Sequence, residues 1–333
     1  MTRTITRTIL LICAAAFLAA HLPVLSGAAQ EALTGDWIGR LRETEKGTKL
    51  HLSLSTKKTE RNRGWEQWGF DLSPADLTGF NPNAGSQTQF ALNREAGSVA
   101  FDGLFKDGKG VGDFRFTPSA GFIAAMRGLG YDNLPTEKLF SMTLFDVSTR
   151  FINELKSVGY SDLPVDKLMA MRIHGVDANF VREVEALGYK GLSADKLVAM
   201  RIHRVDAAFI NQAKNLGFPN LTLDQLMTMR IHRIDEEFIK GVQALGYSNL
   251  PFDKLVAMRI HKVDGDFIKE MENAGYRQIP ADKLVAMRIH RVNAKFVKEM
   301  RDLGYNNLTV DELMRLRIHG VDAEYVKKLK GVQ

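Results

Sequence analysis

The segment Leu197–Asp206, with the sequence LVAMRIHRVD, decides the fold, because close variants of it recur along the C-terminal two thirds of the chain. Its histidine returns at a fixed spacing of 29 residues. The members of this histidine column are His174, His203, His232, His261, His290 and His319. Such a period is typical of a stacked array, in which each unit buries its apolar face only against its neighbours. The sequence therefore predicts a solenoid, and the first functional question is what it binds.

Each repeat divides into two predicted helices. The first begins near a proline, serine or threonine with an aspartate two residues later, as at Ser193 and Asp195. These residue types favour a helix start, and the basic residues of the Arg-Ile-His segment suit the negative end of the helix dipole. Thr222–Gln225 and Thr309–Glu312 also fit the capping box.

The second helix of each repeat is bounded by two further columns. It begins after a residue with a strong N-cap side chain and ends at a glycine that an aromatic residue follows. The N-cap column comprises Ser119, Ser148, Asp177, Asp206, Asp235, Asp264, Asn293 and Asp322. The glycine column comprises Gly130, Gly159, Gly188, Gly217, Gly246, Gly275 and Gly304. Counting back by one period places a lone second helix at Ser119–Leu129, so we expect the preceding region to cap the array rigidly.

Residues 34–116 have a different pattern. Leu50, Leu52 and Leu54 alternate with polar residues, which is typical of a half-buried strand. Similar runs occur at Thr34–Arg42, Trp65–Leu72, Gln87–Arg94, Ser98–Phe105 and Gly112–Phe116. We predict about six antiparallel strands. All three tryptophans, Trp37, Trp65 and Trp68, lie here, and we interpret them as core residues, with an exposed aromatic binding face as the alternative.

The predicted fold class is therefore α+β. It combines a small antiparallel β-sandwich or partial barrel with an α-solenoid of 29-residue two-helix repeats. We assign residues 30–117 to the β-domain and residues 118–333 to the helical repeat array.

Residues 1–29 are predicted to be a signal peptide. Arg3 and Arg7 precede an apolar run of twelve residues, Ile9–Ala20, and Ser26–Ala29 offers small residues at cleavage spacing. The run is shorter than the roughly 20 residues that cross a bilayer. We predict a periplasmic or secreted protein without a transmembrane segment in the mature chain; an uncleaved N-terminal anchor is the alternative. The single cysteine, Cys13, lies within this run, so we expect no thiol chemistry in the mature protein.

The charge distribution argues against a nucleic-acid partner. The chain carries a net charge of +6 with a pI near 9.2. Arg3 and Arg7 account for part of this excess, and residues 31–120 carry equal numbers of acidic and basic residues. Binding to phosphate polymers needs positive charge concentrated on one face, which the overall composition does not provide.

The repeat resembles a known family. Met171–Val181 reads MRIHGVDANFV and is followed by a Leu-Gly-Tyr step, as in the tandem repeats appended to bacterial antibiotic sensors of the BlaR type. The β-region is similar too, at Gly35–Trp37, Trp68–Phe70 and Phe114–Pro118. The resemblance covers nearly the whole mature chain. It implies an accessory or sensing architecture without the sensors' membrane-embedded zinc peptidase, because no histidine here is followed by glutamate.

Two basic columns are the candidate binding site. Each repeat from Arg172 onwards carries an arginine before the Ile-His pair, and in four repeats a second basic residue follows three positions later. Together they predict a basic stripe that binds a protein or an acidic envelope polymer, through an acidic peptide, a glycan carboxylate or a phosphate-bearing chain. The candidate residues are Arg172, Arg201, Arg230, Arg259, Arg288, Arg317, Arg204, Arg233, Lys262 and Arg291. The alternative is a ladder in which each arginine pairs with an aspartate of a neighbouring repeat, such as Asp166, Asp195 or Asp224.

We predict neither a metal site nor a cofactor. A zinc ion takes three or four protein ligands, with each histidine nitrogen about 2.0–2.1 Å from the metal. The histidines of successive repeats lie too far apart to share one ion, because packed helices are roughly 8–10 Å apart. Phe145 occupies the histidine column in the first full repeat, so we interpret the column as packing or carbonyl-capping residues, with pH response as an alternative. The recurring methionines and tyrosines are interpreted mostly as core and packing residues.

The favoured function is an exported, non-enzymatic binding protein that uses the array surface, as an accessory to sensing. The sequence has no phosphate loop, nucleophile elbow or metal-ligand cluster. The alternative is a cell-envelope hydrolase whose site lies in the β-domain, at carboxylates such as Glu66, Asp71 and Asp102.

Overall fold

The computed structural model describes residues 33–45, 47–56, 67–82, 85 and 87–331. The predicted signal peptide, Trp65 and Glu66 lie outside these residues. The alternating region forms one antiparallel sheet of seven strands. The strands are β1 (Leu33–Thr44), β2 (Gly47–Thr56), β3 (Gln67–Leu72), β4 (Leu77–Thr78), β5 (Gln87–Arg94), β6 (Gly97–Lys106) and β7 (Lys109–Pro118).

The sheet is a curled half-barrel, which confirms the partial barrel rather than the two-sheet sandwich. Its strand order is β3-β2-β1-β7-β6-β5-β4. The two-residue strand β4 was not predicted. The inner face carries the aromatic core, in which Trp37 is 1% exposed and contacts Phe90 edge-on at 5.3 Å between ring centres. The core interpretation of Trp37 is therefore confirmed.

Fifteen helices follow the sheet in the described part of the chain. They are α1 (Ala120–Gly128), α2 (Thr136–Leu144), α3 (Thr149–Lys156), α4 (Val165–Ile173), α5 (Ala178–Ala186), α6 (Ala194–Ile202), α7 (Ala207–Asn215), α8 (Leu223–Ile231), α9 (Glu236–Gln243), α10 (Phe252–Ile260), α11 (Gly265–Asn273), α12 (Ala281–Ile289), α13 (Ala294–Asp302), α14 (Val310–Ile318) and α15 (Ala323–Lys330). Helix α1 is the predicted lone second helix. Even-numbered helices are the first, and odd-numbered helices the second, of each repeat. None of the fifteen is long and apolar enough to cross a membrane.

The helix starts follow the predicted capping columns. Every member of the N-cap column accepts a hydrogen bond from the backbone N–H three residues on, as Asp206 does from Phe209 at 2.9 Å. Both predicted capping boxes are present. The prolines differ from expectation, since Pro164 and its equivalents occupy the N-cap itself rather than the first helical turn.

The first and second helices end in the same way. At the end of α5, the N–H of Gly188 donates to Glu185 O and that of Tyr189 to Val184 O. At the end of α6, the N–H of Arg204 donates to Arg201 O and that of Val205 to Met200 O. This is the Schellman pattern, which needs a left-handed residue after the C-cap. The glycine column supplies it for second helices, with φ between 91° and 104°.

Helix α2 closes the open side of the half-barrel. Its Phe140 stacks on Phe114 of β7 at 5.3 Å between ring centres and meets Trp68 edge-on at 5.0 Å. Arg94 at the end of β5 donates to the carbonyls of Thr143 and Leu144 at 3.1 and 2.8 Å. The sheet and the array therefore share one continuous core.

Tyrosines clamp successive repeats together. The hydroxyl of each donates to a backbone carbonyl 32 residues later, at 2.5–2.8 Å. The pairs are Tyr131 with Leu163, Tyr160 with Leu192, Tyr189 with Leu221, Tyr247 with Ile279, and Tyr276 with Leu308. Phe218 interrupts this column and instead meets Phe252 of the next repeat edge-on at 5.9 Å. The predicted packing role of the tyrosines thus includes a hydrogen bond between repeats.

Candidate functional site

The ten predicted binding residues fall into two sets, of which the first is the inner arginine column. Each of these guanidinium groups lies over the phenylalanine ring of the preceding repeat's second helix, 3.8–5.3 Å from the ring centre. The pairs are Arg172 with Phe151, Arg201 with Phe180, Arg230 with Phe209, Arg259 with Phe238, Arg288 with Phe267, and Arg317 with Phe296. Cation–π contact of this kind contributes about 0.5–2 kcal/mol. These arginines therefore hold the stack.

Several inner arginines also satisfy carbonyls at the end of the preceding first helix. Arg259 Nε donates to His232 O at 3.2 Å and Arg317 Nε to His290 O at 3.3 Å. Arg172 instead pairs with Asp146. In Arg201 and Arg288 the Nε atom is buried and has no hydrogen-bond partner among the described residues. Every inner arginine thus lies over a phenylalanine ring, whereas the polar partner of its guanidinium group differs from repeat to repeat.

The alternative prediction of an arginine–aspartate ladder is confirmed only at Arg172, which pairs with Asp146, and it is wrong for Asp166 and Asp195. Asp166 accepts from Lys138 and Asp195 from Lys167, each a lysine of the preceding first helix. The same pair recurs between Lys254 and Asp282 at 2.5 Å. From α4 onwards, aspartate lies in the first turn of each first helix, whereas arginine lies in the last turn, at the opposite end of the helix. Lysine therefore forms the repeated pairs between first helices at four steps of the array.

The second set is the outer basic column, Arg204, Arg233, Lys262 and Arg291. All four are exposed and lie directly after the C-cap of a first helix. Their φ angles are 55°, 52°, 56° and 59°, in the left-handed region. Gly175 and Gly320 occupy the same position in other repeats. No hydrogen bond or ion pair engages these four side chains within the part of the chain that the structure describes.

A column of exposed isoleucines runs beside the outer basic column. Isoleucine is the last residue of every first helix from α4 onwards and is 46–55% exposed. The members are Ile173, Ile202, Ile231, Ile260, Ile289 and Ile318. Sequence reasoning missed this column, although a signal was present. Leu197 and Met200, three residues apart, lie on the buried face of α6. Ile202, two residues after Met200, therefore points away from that face.

Together, the outer basic column and the isoleucine column form a surface that we call the ridge. Between α8 and α10 it contains a groove of about 450 Å³. Ile231 and Arg233 line one side of this groove, and Ile260 and Lys262 line the other. Each period thus repeats one apolar and one cationic contact, with a depression between neighbours.

The histidine column lies at the C-caps of the first helices. Its members take part in capping through the backbone, since the carbonyls of His232 and His290 accept from inner arginines. The carbonyl-capping role that was expected of the histidine side chains is therefore filled by arginine side chains at these two positions. Phe145, in the equivalent position, packs against Phe70 of the sheet at 6.2 Å between ring centres. Within the described residues, no three His, Cys, Asp or Glu side chains cluster as metal ligands would.

The carboxylates named for a hydrolase are not brought together. Asp71 lies on β3 and bonds to His51 at 2.8 Å, whereas Asp102 lies on β6 and accepts from Gln89 at 2.7 Å. Three strands separate β3 from β6 in the sheet. A pair acting on one glycosidic bond has its carboxyl groups about 5–10 Å apart. Asp71 and Asp102 therefore do not form the pair that this alternative requires.

Comparison of the chain with family models, with curated proteins and with solved structures finds no match in any of the three.

Proposed function

We propose that the chain is an exported, non-enzymatic binding protein whose ridge engages an acidic, partly apolar segment of a partner protein. One observation carries this proposal. At four successive repeats a basic side chain, free of intramolecular partners within the described residues, occupies a left-handed position that glycine fills elsewhere in the array.

The energetic argument concerns the backbone. A residue with a Cβ atom in the left-handed region costs about 1 kcal/mol relative to glycine, and backbone strain of this kind clusters at functional sites. This strain is present at four positions, which are Arg204, Arg233, Lys262 and Arg291. Glycine occupies the equivalent position at Gly175, so the fold itself does not require a basic residue there. A solvent-exposed cation contributes little to stability. Binding to an external anion explains why the basic residues occupy these positions.

The isoleucine column indicates which class of ligand fits the ridge. Exposed apolar patches that repeat along one surface are typical of protein interaction sites. A purely anionic envelope polymer would contact the basic column and leave the isoleucines in water. An extended polypeptide with both carboxylate and apolar side chains would use both columns, so we favour it over the acidic polymer.

The ligand chemistry is testable with defined probes. We expect a fluorescein-labelled Glu/Tyr copolymer to bind more tightly than labelled polyglutamate, measured by fluorescence anisotropy near 0.15 M salt. Replacing Arg204, Arg233, Lys262 and Arg291 together by glycine should weaken copolymer binding by about tenfold or more, because four exposed ion pairs are lost.

Two control variants sharpen this experiment. Replacing Lys190, Lys196, Lys269 and Arg277 by alanine removes the same charge from exposed positions off the ridge and should change the affinity by less than about twofold. Replacing Ile202, Ile231 and Ile260 by serine should abolish the preference for the copolymer over polyglutamate. Equal weakening in both charge variants would contradict a specific ridge.

Export is supported by the N-terminal pattern and needs a separate measurement. We expect the mature chain to begin near Ala29 or Gln30, because the small residues of Ser26–Ala29 follow the apolar run at cleavage spacing. Mass spectrometry of the protein recovered from its host's envelope or medium decides this. A mature product that retains Met1–Ala20 would contradict cleavage.

The resemblance to BlaR-type repeat regions supports an accessory role in sensing. On this proposal the ridge presents a docking surface to a partner that carries the catalytic or signalling activity. Crosslinking the exported protein in its native envelope and identifying the captured chain tests this role directly.

A further inference from the structure

The outer face of the half-barrel carries an exposed apolar row. Ile38, Val111 and Leu104 are 62%, 53% and 58% exposed. Among the sheet residues that the structure describes, no other large apolar side chain is exposed. Ile38 pairs with Val111, and Val111 with Leu104, so the three side chains lie side by side across β1, β7 and β6.

Charged rows flank this apolar row on both sides. Two residues away in one direction, Asp36 pairs with Asp113, and Asp113 with Asp102. Two residues away in the other direction, Arg40 pairs with Lys109, and Lys109 with Lys106. All six are exposed on the same face as the apolar row.

Each charged row keeps one sign across β1, β7 and β6, so the face presents an ordered pattern of surface charge. The order across the face is acidic, apolar, basic, with about 7 Å between successive rows, because residues two apart in a strand are separated by that distance. A surface with this order is complementary to itself when it is reversed.

We infer that the outer face of this sheet binds a second copy of the chain about a twofold axis that runs along the apolar row. Rotation about this axis reverses the strand direction, so the acidic row of each copy faces the basic row of the other. Asp113 then faces the partner subunit's Lys109, and the two Val111 side chains meet on the axis. Other twofold arrangements of the face, with the axis along the strands, place acid against acid.

A second copy fits the face better than an unrelated partner, because one reversal brings opposite charges together in both charged rows and apolar side chains together in the central row. Isologous contacts of this type are the commonest in soluble oligomers. Three strands offer only a few hundred Å², well below the roughly 800 Å² per partner of a stable complex, so we expect a reversible dimer with a micromolar dissociation constant. This inference is independent of the ridge.

Charge exchange between two variants gives the decisive test. In Lys109→Glu, residue 109 would face the partner's Asp113 with the same sign; in Asp113→Lys, the facing residues would both be cationic. Each variant alone should sediment as a monomer at concentrations where the unaltered chain dimerises. An equimolar mixture should regain the dimer, because both facing pairs then have opposite charges. Sedimentation velocity at increasing concentration measures all of these states.

Dimerisation of either variant alone, or a mixture that stays monomeric, would overturn the inference, as would an unaltered chain that remains monomeric at about 100 µM. Circular dichroism establishes that each variant is folded.

A second measurement does not depend on the charge variants. In a Cys13→Ser background, Val111→Cys should be captured as a dimer by a short bismaleimide, since the two introduced thiols lie on the axis. Ala208→Cys, exposed on the array, is the matched control and should give no dimer. Absence of the Val111→Cys crosslink would also overturn the inference.

Discussion

Single residues control how each helix of the array ends. Second helices end at glycines in the left-handed region, whereas first helices end at glycine, aspartate, arginine or lysine in the same conformation. The glycines fit the fold without strain. The arginines and lysine do not, and their side chains extend into solvent beside exposed isoleucines. The same left-handed position is therefore filled by glycine in the glycine column and by a basic residue in the outer basic column, where we propose that it serves binding.

We expect Gly217→Val to destabilise the array by more than about 1 kcal/mol, because a β-branched residue is strained at positive φ. Gly217 has φ = 97°, and no atom lies within 4 Å of an added Cβ, so the effect comes from the backbone alone. Gly217→Asn should recover much of the loss, since asparagine tolerates this region. Urea unfolding measures the series.

Asn211→Ala, on the exposed surface, is the control and should change the free energy of unfolding by less than about 0.5 kcal/mol. Equal urea midpoints for Gly217→Val and Asn211→Ala would contradict this helix boundary.

The tyrosine clamp gives a second prediction at the residue scale. Tyr189→Phe removes the hydrogen bond to Leu221 O and should lower the free energy of unfolding by about 1 kcal/mol. Tyr325→Phe is the matched control, because Tyr325 is exposed and its ring lies outside the clamp. A loss of the same size in both variants would show that the clamp contributes nothing specific.

The clamp also makes stability depend on alkaline pH. Burial raises the pKa of Tyr189, and it also raises the pKa of Tyr131, Tyr160 and Tyr247. The folded state therefore holds the phenolic proton more tightly than the unfolded state. This contribution is fully present below pH 10, the ordinary tyrosine pKa being about 10, and it is lost as the pH rises through the folded pKa. Urea midpoints measured from about pH 8 to about pH 11, which spans the ordinary tyrosine pKa of about 10, should show a smaller decline in Tyr189→Phe than in the unaltered chain.

At the scale of helices and strands, the pattern of the sequence predicted most boundaries. The N-cap column located eight helix starts, and Gln87–Arg94 was predicted with the bounds that β5 has. These boundary predictions agree with the structure because helix capping and strand alternation depend on residues that are close in sequence. The inner arginines were harder to place. Arg201 lies over Phe180, which is 21 residues earlier, so its role depends on how one repeat stacks on another.

The histidine column provides the prediction at this scale. We expect His232→Phe to leave the fold intact, with a change in unfolding free energy within about 0.5 kcal/mol, because Phe145 already occupies the equivalent C-cap. The unaltered protein should bind no stoichiometric zinc at neutral pH, since a lone imidazole holds the ion weakly. Calorimetric titration of tag-free protein tests this. A tight zinc site that disappears in His232→Phe would contradict both statements.

For the molecule as a whole, the sheet and the array are joined rigidly. Glu95, directly after β5, accepts from the backbone N–H of Thr149 at 2.9 Å at the start of α3, close to the Arg94 contacts with the end of α2. The joint holds the outer face of the sheet and the ridge in fixed relation. A dimer through that face would present two ridges, and linked binding sites raise the overall affinity for an extended ligand.

The candidate site could be predicted only in part. The basic stripe was found from its spacing, but its division into stacked arginines and exposed left-handed residues depends on φ angles and on contacts between repeats. The charged rows of the sheet could not be predicted from strand patterns alone. Their alignment depends on the pairing of β1, β7 and β6, and a shift of one residue would move every side chain to the other face.

The central claim is that the outer basic column is kept for binding at a cost to the fold, and urea unfolding of the fourfold glycine variant at Arg204, Arg233, Lys262 and Arg291 tests it most directly. Relief of the left-handed strain should raise the unfolding free energy by roughly 0.5–1 kcal/mol per position, and distant sites should add. We therefore predict a total gain of about 2 kcal/mol or more, while the alanine variant of Lys190, Lys196, Lys269 and Arg277 shows no such gain. An unfolding free energy that falls or stays unchanged in the glycine variant would contradict the account, because the basic residues would then stabilise the array themselves.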